Sequence, residues 1–279
     1  MILITGGCGF IGSNTVDYLI NKGENVIVVD KKIRNENPRA IYKRININNI
    51  KKLESIFKEY EITHILHLAA YISLPKSIVE PVTCLRTNIM GTANVFEMGR
   101  KYDVNKIVFA SSSSTYNIKS PYALSKQVDE GLGKMYSQVY GLHIAGLRYF
   151  NVYGPRQMLG PVIPNFIVNM LNNKKIIIYG KGRQTRDFIF VKDVVRVNYM
   201  FLKNKKDGIF EVGSGVETQI IDLFNMLAKM ISYNKKPLFK QERVGDVKTS
   251  VAKEKIIKTT SLKKGLEETI RYYDEHRII

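Results

Sequence analysis

Tyr122 and Lys126 stand four residues apart in Tyr122-Ala123-Leu124-Ser125-Lys126, within a stretch of helical spacing. Residues so spaced share one helix face. A free phenol titrates near ~10 and is a poor base at neutral pH. An ammonium beside it favours the phenolate and makes it a usable one. Ordinary surface helices also carry such pairs. This one gains weight from the run Ser111-Ser112-Ser113-Ser114 just upstream, which follows a strand-like segment. A hydroxyl there could donate to a reacting oxygen.

A second constellation opens the chain. Gly6-Gly7-Cys8-Gly9-Phe10-Ile11-Gly12 follows a β-branched run and leads into a helical pattern. In that context Gly6 permits a tight turn, Gly9 lets backbone approach a pyrophosphate, and Gly12 packs helix on strand. The pyrophosphate then meets the positive helix end. Asp30 lies 18 residues after Gly12, at the end of the second strand-like run. A carboxylate there accepts both ribose hydroxyls of NAD and repels a 2′-phosphate. The adjacent Lys31 and Lys32 would tolerate that phosphate, so NADP stays open while NAD is favoured.

These residues need a frame. Segments 2–5, 26–30, 40–47, 65–69, 107–111 and 145–148 read as strands. Segments 12–22, 50–60, 87–102 and 122–140 between them show helical spacing. That alternation predicts an α/β fold with a doubly wound, mostly parallel sheet. After Asn151 the pattern changes. Prolines lead into a helix at 166–171, strands at 176–179 and 187–191, and helices at 193–203, 220–231 and 262–276. We expect a dinucleotide-binding domain over 1–150 and a smaller, partly interleaved substrate domain over 151–279.

The 279 residues are 44% hydrophobic and 24% charged, which excludes global disorder. No apolar run approaches the ~18–20 residues of a membrane span. Met1 opens directly on Ile2-Leu3-Ile4, a first strand and not a leader. Cys8 and Cys84 form no disulfide framework and suggest a reducing compartment, hence a cytoplasmic protein. The four histidines and two cysteines lack zinc-ligand spacing, and no metal is expected. The formal net charge is +18, but lysines are spread singly along the chain. That reads as composition and electrostatic steering, and argues against a nucleic-acid partner.

The motifs together resemble the extended short-chain dehydrogenase/reductase family, in its nucleotide-sugar 4-epimerase branch. The resemblance runs nearly end to end. It includes Gly6–Gly12, His67-Leu68-Ala69-Ala70, the segment from Asn88 to Asn94, Tyr122–Lys126, Tyr149-Phe150-Asn151, Arg186-Asp187-Phe188, Val212-Gly213-Ser214-Gly215 and Arg243-Val244-Gly245-Asp246. It implies a Rossmann-type domain binding NAD, a UDP-sugar substrate and a homodimer through helices near 87–102 and 122–140. It implies Tyr122 as catalytic base, Lys126 as its partner on the nicotinamide ribose, and Ser112 as the catalytic hydroxyl. Further cofactor contacts are implied for Phe10, Ile11, Lys31, Asn46, Ile47, Leu68, Ala69, Ala70, Asn88, Ser111 and Tyr149. Asn151, Arg186 and Arg243 resemble the ligands of the substrate diphosphate. A charged fork suits that task.

The branch can be narrowed. Related 4,6-dehydratases carry Asp-Glu directly after the catalytic hydroxyl residue, where this chain has Ser113 and Ser114; related decarboxylases carry Glu at the Ser114 position. Both lack their required group here. The pattern resembles UDP-glucose and UDP-N-acetylglucosamine 4-epimerases, and Ser250, at the sugar-size gate seven residues after Arg243, is small. Reduction of a 4-keto sugar, epimerisation at another carbon and a non-catalytic nucleotide-binding member remain alternatives. The chain departs from the family in the short segment from Asn117 to Pro121 before Tyr122, in Asn46 where an acid usually contacts adenine, and in Lys253-Glu254-Lys255 near the gate.

Overall fold

A computed structural model describes residues 1–242 and 248–276. The chain divides into two compact units, Met1–Tyr149 with Val195–Phe210, and Phe150–Val194 with the chain from Glu211 on. Residues 195–210 thus cluster with the first unit, although the sequence reading groups them with the second.

The first unit runs β1 (Ile2–Thr5), α1 (Phe10–Asn21), β2 (Val26–Asp30), β3 (Ile41–Arg44), α2 (Ile50–Glu59), β4 (His64–His67), α3 (Leu74–Val79), α4 (Pro81–Leu85), α5 (Gly91–Lys101), β5 (Lys106–Ser112), α6 (Pro121–Tyr140) and β6 (Ile144–Tyr149). The short helices α3 and α4 escape the sequence reading, and a π-helical turn, Arg86–Met90, joins α4 to α5. β3 is shorter than the predicted strand because Asn46 turns the chain, its carbonyl accepting from Asn49 N at 2.8 Å. Asn49 then caps α2, accepting from Lys52 N.

Among the described residues the sheet has seven strands, ordered β10-β6-β5-β4-β1-β2-β3, with β10 at Gly208–Val212. The pairs from β3 through β6 are parallel. This is the doubly wound order, in which ligands bind beyond the carboxyl ends of the strands. Every residue of β1 is buried, as are Val26–Val29, which explains their continuous apolar runs. Phe96 of α5 meets Phe109 of β5 edge-on at 5.4 Å and Tyr136 of α6 at 5.7 Å. Burying each such side chain contributes about 1.5–3 kcal/mol. α6 starts sharply, with Ser120 accepting from Ala123 N and Pro121 in the first turn. It ends at Gly141, in the left-handed region at φ 69°.

The second unit contains β7 (Asn151–Tyr153), α7 (Val162–Leu171), β8 (Ile177–Tyr179) and β9 (Thr185–Phe190). α8 (Val191–Lys203) carries the chain back to the first unit, and β10 follows. β11 (Glu217–Gln219), α9 (Ile220–Ile231), β12 (Leu238–Lys240), β13 (Thr249–Ser250) and α10 (Leu262–Glu275) complete the chain. β9 is the hub, paired with β7 and β13 in parallel and with β11 antiparallel. β8 and β12 form a separate parallel pair. The strands β7, β11, β12 and β13 have at most three residues each, too few for a period-2 pattern to register in the sequence. No helix among the described residues is long and apolar enough to cross a membrane.

Candidate functional site

The glycine loop leaves β1 and enters α1 as its motif requires. Gly6 has φ 72°, and a Cβ there would lie 2.6 Å from the backbone of Ala69. A Cβ on Gly12 would lie 2.2 Å from the Gly6 carbonyl oxygen. At Gly9 the same test meets only that oxygen, at 3.2 Å, so this face of the loop is open to an incoming group. Gly9 caps α1 without a side-chain hydrogen bond, which leaves the first N–H groups, those of Phe10 and Ile11 among them, to an anion. Asp30, at the carboxyl end of β2, accepts from Cys8 N and from Lys32 N, each at 3.2 Å. Lys31 beside it is exposed. Open glycine cradle, uncapped helix start and carboxylate together fit a dinucleotide.

The wall of this region is tied to buried polar groups. Leu68 N donates to Thr5 O, and Ala69 N to Thr5 Oγ1, before the chain passes Ala70. His67 lies between Thr5 Oγ1 at 2.6 Å and Thr92 Oγ1 at 3.0 Å. Burial, helped by the charge of Lys126, pushes its pKa down to about 3, so it is neutral. Asn88 is fully engaged: Oδ1 accepts from Tyr71 N at 2.7 Å, and Nδ2 donates to Ser125 Oγ at 2.8 Å. Its amide thus joins the loop after Ala70 to α6. Asn46 Oδ1 accepts from Asn48 N, and Ile47 O accepts from Asn94 Nδ2. Tyr149 is buried and donates to Asn198 Oδ1 at 2.7 Å; burial raises its pKa.

α6 and β5 carry the candidate reacting groups. Lys126 is 2% exposed, and its ammonium donates to Ala110 O and to Asp129 Oδ2, each at 3.0 Å. Burial lowers its pKa, but the charges of Asp129 and Tyr122 outweigh that and leave it raised. Tyr122 is half-buried one turn before it. Ser112 ends β5, where its Oγ accepts from Ser114 N at 3.2 Å and Ser114 Oγ at 2.9 Å. Its own proton remains to donate. Ser111 is turned elsewhere: its hydroxyl donates to Glu130 Oε1 at 2.5 Å, and Glu130 is held by both arms of Arg148. Arg148 in turn lies 4.7 Å from the centre of the Tyr116 ring. Asp129 and Glu130 follow Lys126 by three and four residues on α6, a spacing that could have flagged both.

In the second unit, Arg186 and Ser250 are direct partners in the β9–β13 pairing, and Asn151 of β7 is the partner of Phe188 further along β9. Asn151 Nδ2 donates to Asp187 O at 3.1 Å, and Arg186 donates to Thr185 O at 2.8 Å. Asp187 organises the region. Its fully buried carboxylate accepts from Ser214 N, Ser214 Oγ, Gly215 N and Ala252 N, at 2.7, 2.6, 2.9 and 3.1 Å. Arg243 lies outside the described residues.

The model of the NAD dependent epimerase/dehydratase family matches residues 2–213. A Methanocaldococcus jannaschii protein described provisionally as a UDP-glucose 4-epimerase is 41% identical over 270 residues, 88% of each chain. The structure of a Thermotoga maritima UDP-glucose 4-epimerase with UDP-glucose superposes with a TM-score of 0.95 at 35% identity, covering 99% of both chains. A Methanobrevibacter ruminantium UDP-N-acetylglucosamine 4-epimerase, in complex with UDP-N-acetylmuramic acid, superposes with a TM-score of 0.91 at 31% identity, over 99% of this chain and 98% of that one.

Proposed function

The chain belongs to the NAD dependent epimerase/dehydratase family, and on that premise we propose that it inverts C4 of a UDP-sugar through a 4-keto intermediate. One observation carries the choice within the family. The residues following Ser112 are Ser113 and Ser114, and what touches the Ser112 hydroxyl is another hydroxyl at 2.9 Å. Eliminating water across a C5–C6 bond needs an acid and a base beside that hydroxyl. Epimerisation at C4 needs neither. UDP-glucose in one similar structure and the UDP-N-acetylglucosamine activity naming another support a UDP-hexose of either kind.

Gly6, Gly9, Gly12 and Asp30 would hold the NAD, which when bound supplies a reversible acceptor for the C4 hydride. Tyr122, as phenolate, takes the proton of the C4 hydroxyl, and the Lys126 ammonium stabilises the phenolate. Ser112 donates its proton to the same oxygen, because its acceptor positions are occupied by Ser114. The phenol returns the proton after the 4-keto sugar has turned about its phosphate linkage. Asn151, Arg186 and Arg243 grip the diphosphate, so the hexose can turn while the nucleotide stays. A homodimer through α5 and α6 completes the reading, supported by exposed Leu124, Met135 and Val139 on α6.

The test incubates purified protein with UDP-glucose or UDP-N-acetylglucosamine and no added nicotinamide. Equilibration at C4 is expected. Product formed only with stoichiometric reductant would make the protein a 4-keto-sugar reductase, and binding without turnover a non-catalytic member. Tyr122→Phe should cut turnover by roughly 10²–10⁴-fold while UDP binding survives. A near-native rate in that variant would remove Tyr122 as the base.

A further inference from the structure

Against the Lys126 ammonium lies a carboxylate to which C4 epimerisation assigns no role. Asp129 is fully buried, and its Oδ2 lies 3.0 Å from the Lys126 ammonium. Among the described residues, no other carboxylate is hydrogen-bonded to the Lys126 ammonium. From β4 comes His67, which is neutral. From α4 comes Cys84, whose thiol burial pushes up and keeps protonated. From β5 comes the Ala110 carbonyl. On α6 itself, Glu130 is bound by both arms of Arg148 and by Ser111.

We propose that Asp129, acting through Lys126, is a positioning residue that holds the ammonium charged and in place and sets the pH at which the Tyr122–Lys126 pair becomes competent. This rests on Tyr122 being the base. Lys126 follows Tyr122 by one turn of α6, so the two groups share a face and each feels the other's charge. Burial, and to a lesser degree the charge of Glu130, push the Asp129 pKa up, while the Lys126 ammonium and the Thr92 hydroxyl oppose that rise. As the carboxylate against the ammonium, it strengthens the pair's hold on the first proton, so competence arrives at higher pH than the pair alone would give. The same anion decides which proton leaves. An ammonium touching a buried carboxylate is the stabilised form, so the loss falls on the phenol. Without the anion, part of the pair would hold a neutral amine under a neutral phenol, which cannot take the C4 proton. The arrangement accepts a later onset with pH in return for the productive tautomer.

The experiment compares kcat/KM against pH for the native enzyme and Asp129→Asn, each carrying its NAD. Asparagine keeps an oxygen facing Lys126 and removes the charge. The acid limb should move down by about 1–2 pH units. The plateau of kcat should fall at least about tenfold, with KM for the UDP-sugar little changed. A lower rate with the limb within about 0.3 pH unit of native overturns the proposal, because that is what a purely structural residue would give. If Asp129→Asn does not fold, Asp129→Ser must show the same limb shift; a chain that folds with neither also overturns it. Tyr122→Phe, run alongside, separates the two readings. If it is inactive while the Asp129→Asn limb stays put, only the Asp129 inference fails; if it remains active, the choice of base fails with it.

Discussion

Replacing Asp187 with alanine should loosen the second unit and spare the first. The carboxylate satisfies four donors on three residues, the adjacent Ser214 and Gly215 and the distant Ala252. The Ser214 hydroxyl can rotate to another acceptor, and Gly215 is half-buried, so water can reach its N–H. That leaves the buried N–H groups of Ser214 and Ala252, each costing about 1–3 kcal/mol when unpaired. The sum is about 2–6 kcal/mol, or about 4 kcal/mol at the centre. A domain of this order loses about 2–4 °C of Tm per kcal/mol, so the shift should be roughly 8–16 °C. The chain has no tryptophan, so calorimetry and tyrosine near-UV circular dichroism are the suitable probes. Alanine keeps the main-chain carbonyl that Asn151 Nδ2 bonds, but it loosens the strand that carries Arg186 next to Ser250, so KM for the UDP-sugar should rise while NAD retention in the first unit stays native. Asp187→Asn keeps one acceptor oxygen and should show about half the loss. A destabilisation below about 1 kcal/mol for Asp187→Ala would refute the idea that this carboxylate organises the region.

Three further outcomes follow from the geometry. Gly12→Ala puts a methyl 2.2 Å from the Gly6 carbonyl oxygen, and that backbone cannot yield as a flexible side chain would. It should cost about 1–3 kcal/mol and abolish NAD co-purification, read by releasing the dinucleotide from denatured protein. His67 is held neutral with a pKa of about 3, below the unfolded value near ~6.5. As pH falls below ~6.5 the unfolded chain gains a proton that the folded one refuses, so stability is lost down to about pH 3, by at most about 1.4 kcal/mol per pH unit. Urea unfolding of His67→Gln between pH 6.5 and 5 should show a shallower slope than native. Ser250→Tyr fills the place next to Arg186 in the sheet and should suppress turnover of UDP-N-acetylglucosamine more than of UDP-glucose; equal loss of both would remove Ser250 as a size gate.

Local chemistry was legible because it is short-range. Gly6, Gly9 and Gly12 announce themselves through backbone requirements that no neighbour can alter, and the structure shows Cβ clashes at Gly6 and Gly12. The central strands were readable because burial on both faces forces continuous apolar runs. The short helices α3 and α4 and the two- and three-residue strands around β9 were not, because their length carries too little period. Asn88 illustrates a subtler limit. Its motif suggests the cofactor, while its amide is engaged by Tyr71 and Ser125.

The sequence by itself determined the turn that can receive a pyrophosphate, the carboxylate beyond the second strand and the shared helix face of Tyr122 and Lys126. Each depends on neighbours within one turn or loop. The tertiary structure alone decided that the Lys126–Asp129 pair is buried, that Ser111 serves Glu130 and Arg148 while Ser112 keeps a proton to give, and that Asp187 gathers donors from distant segments. Burial and long-range hydrogen bonds follow from strand order and packing, which bring together residues whose separation along the chain encodes nothing of their contact.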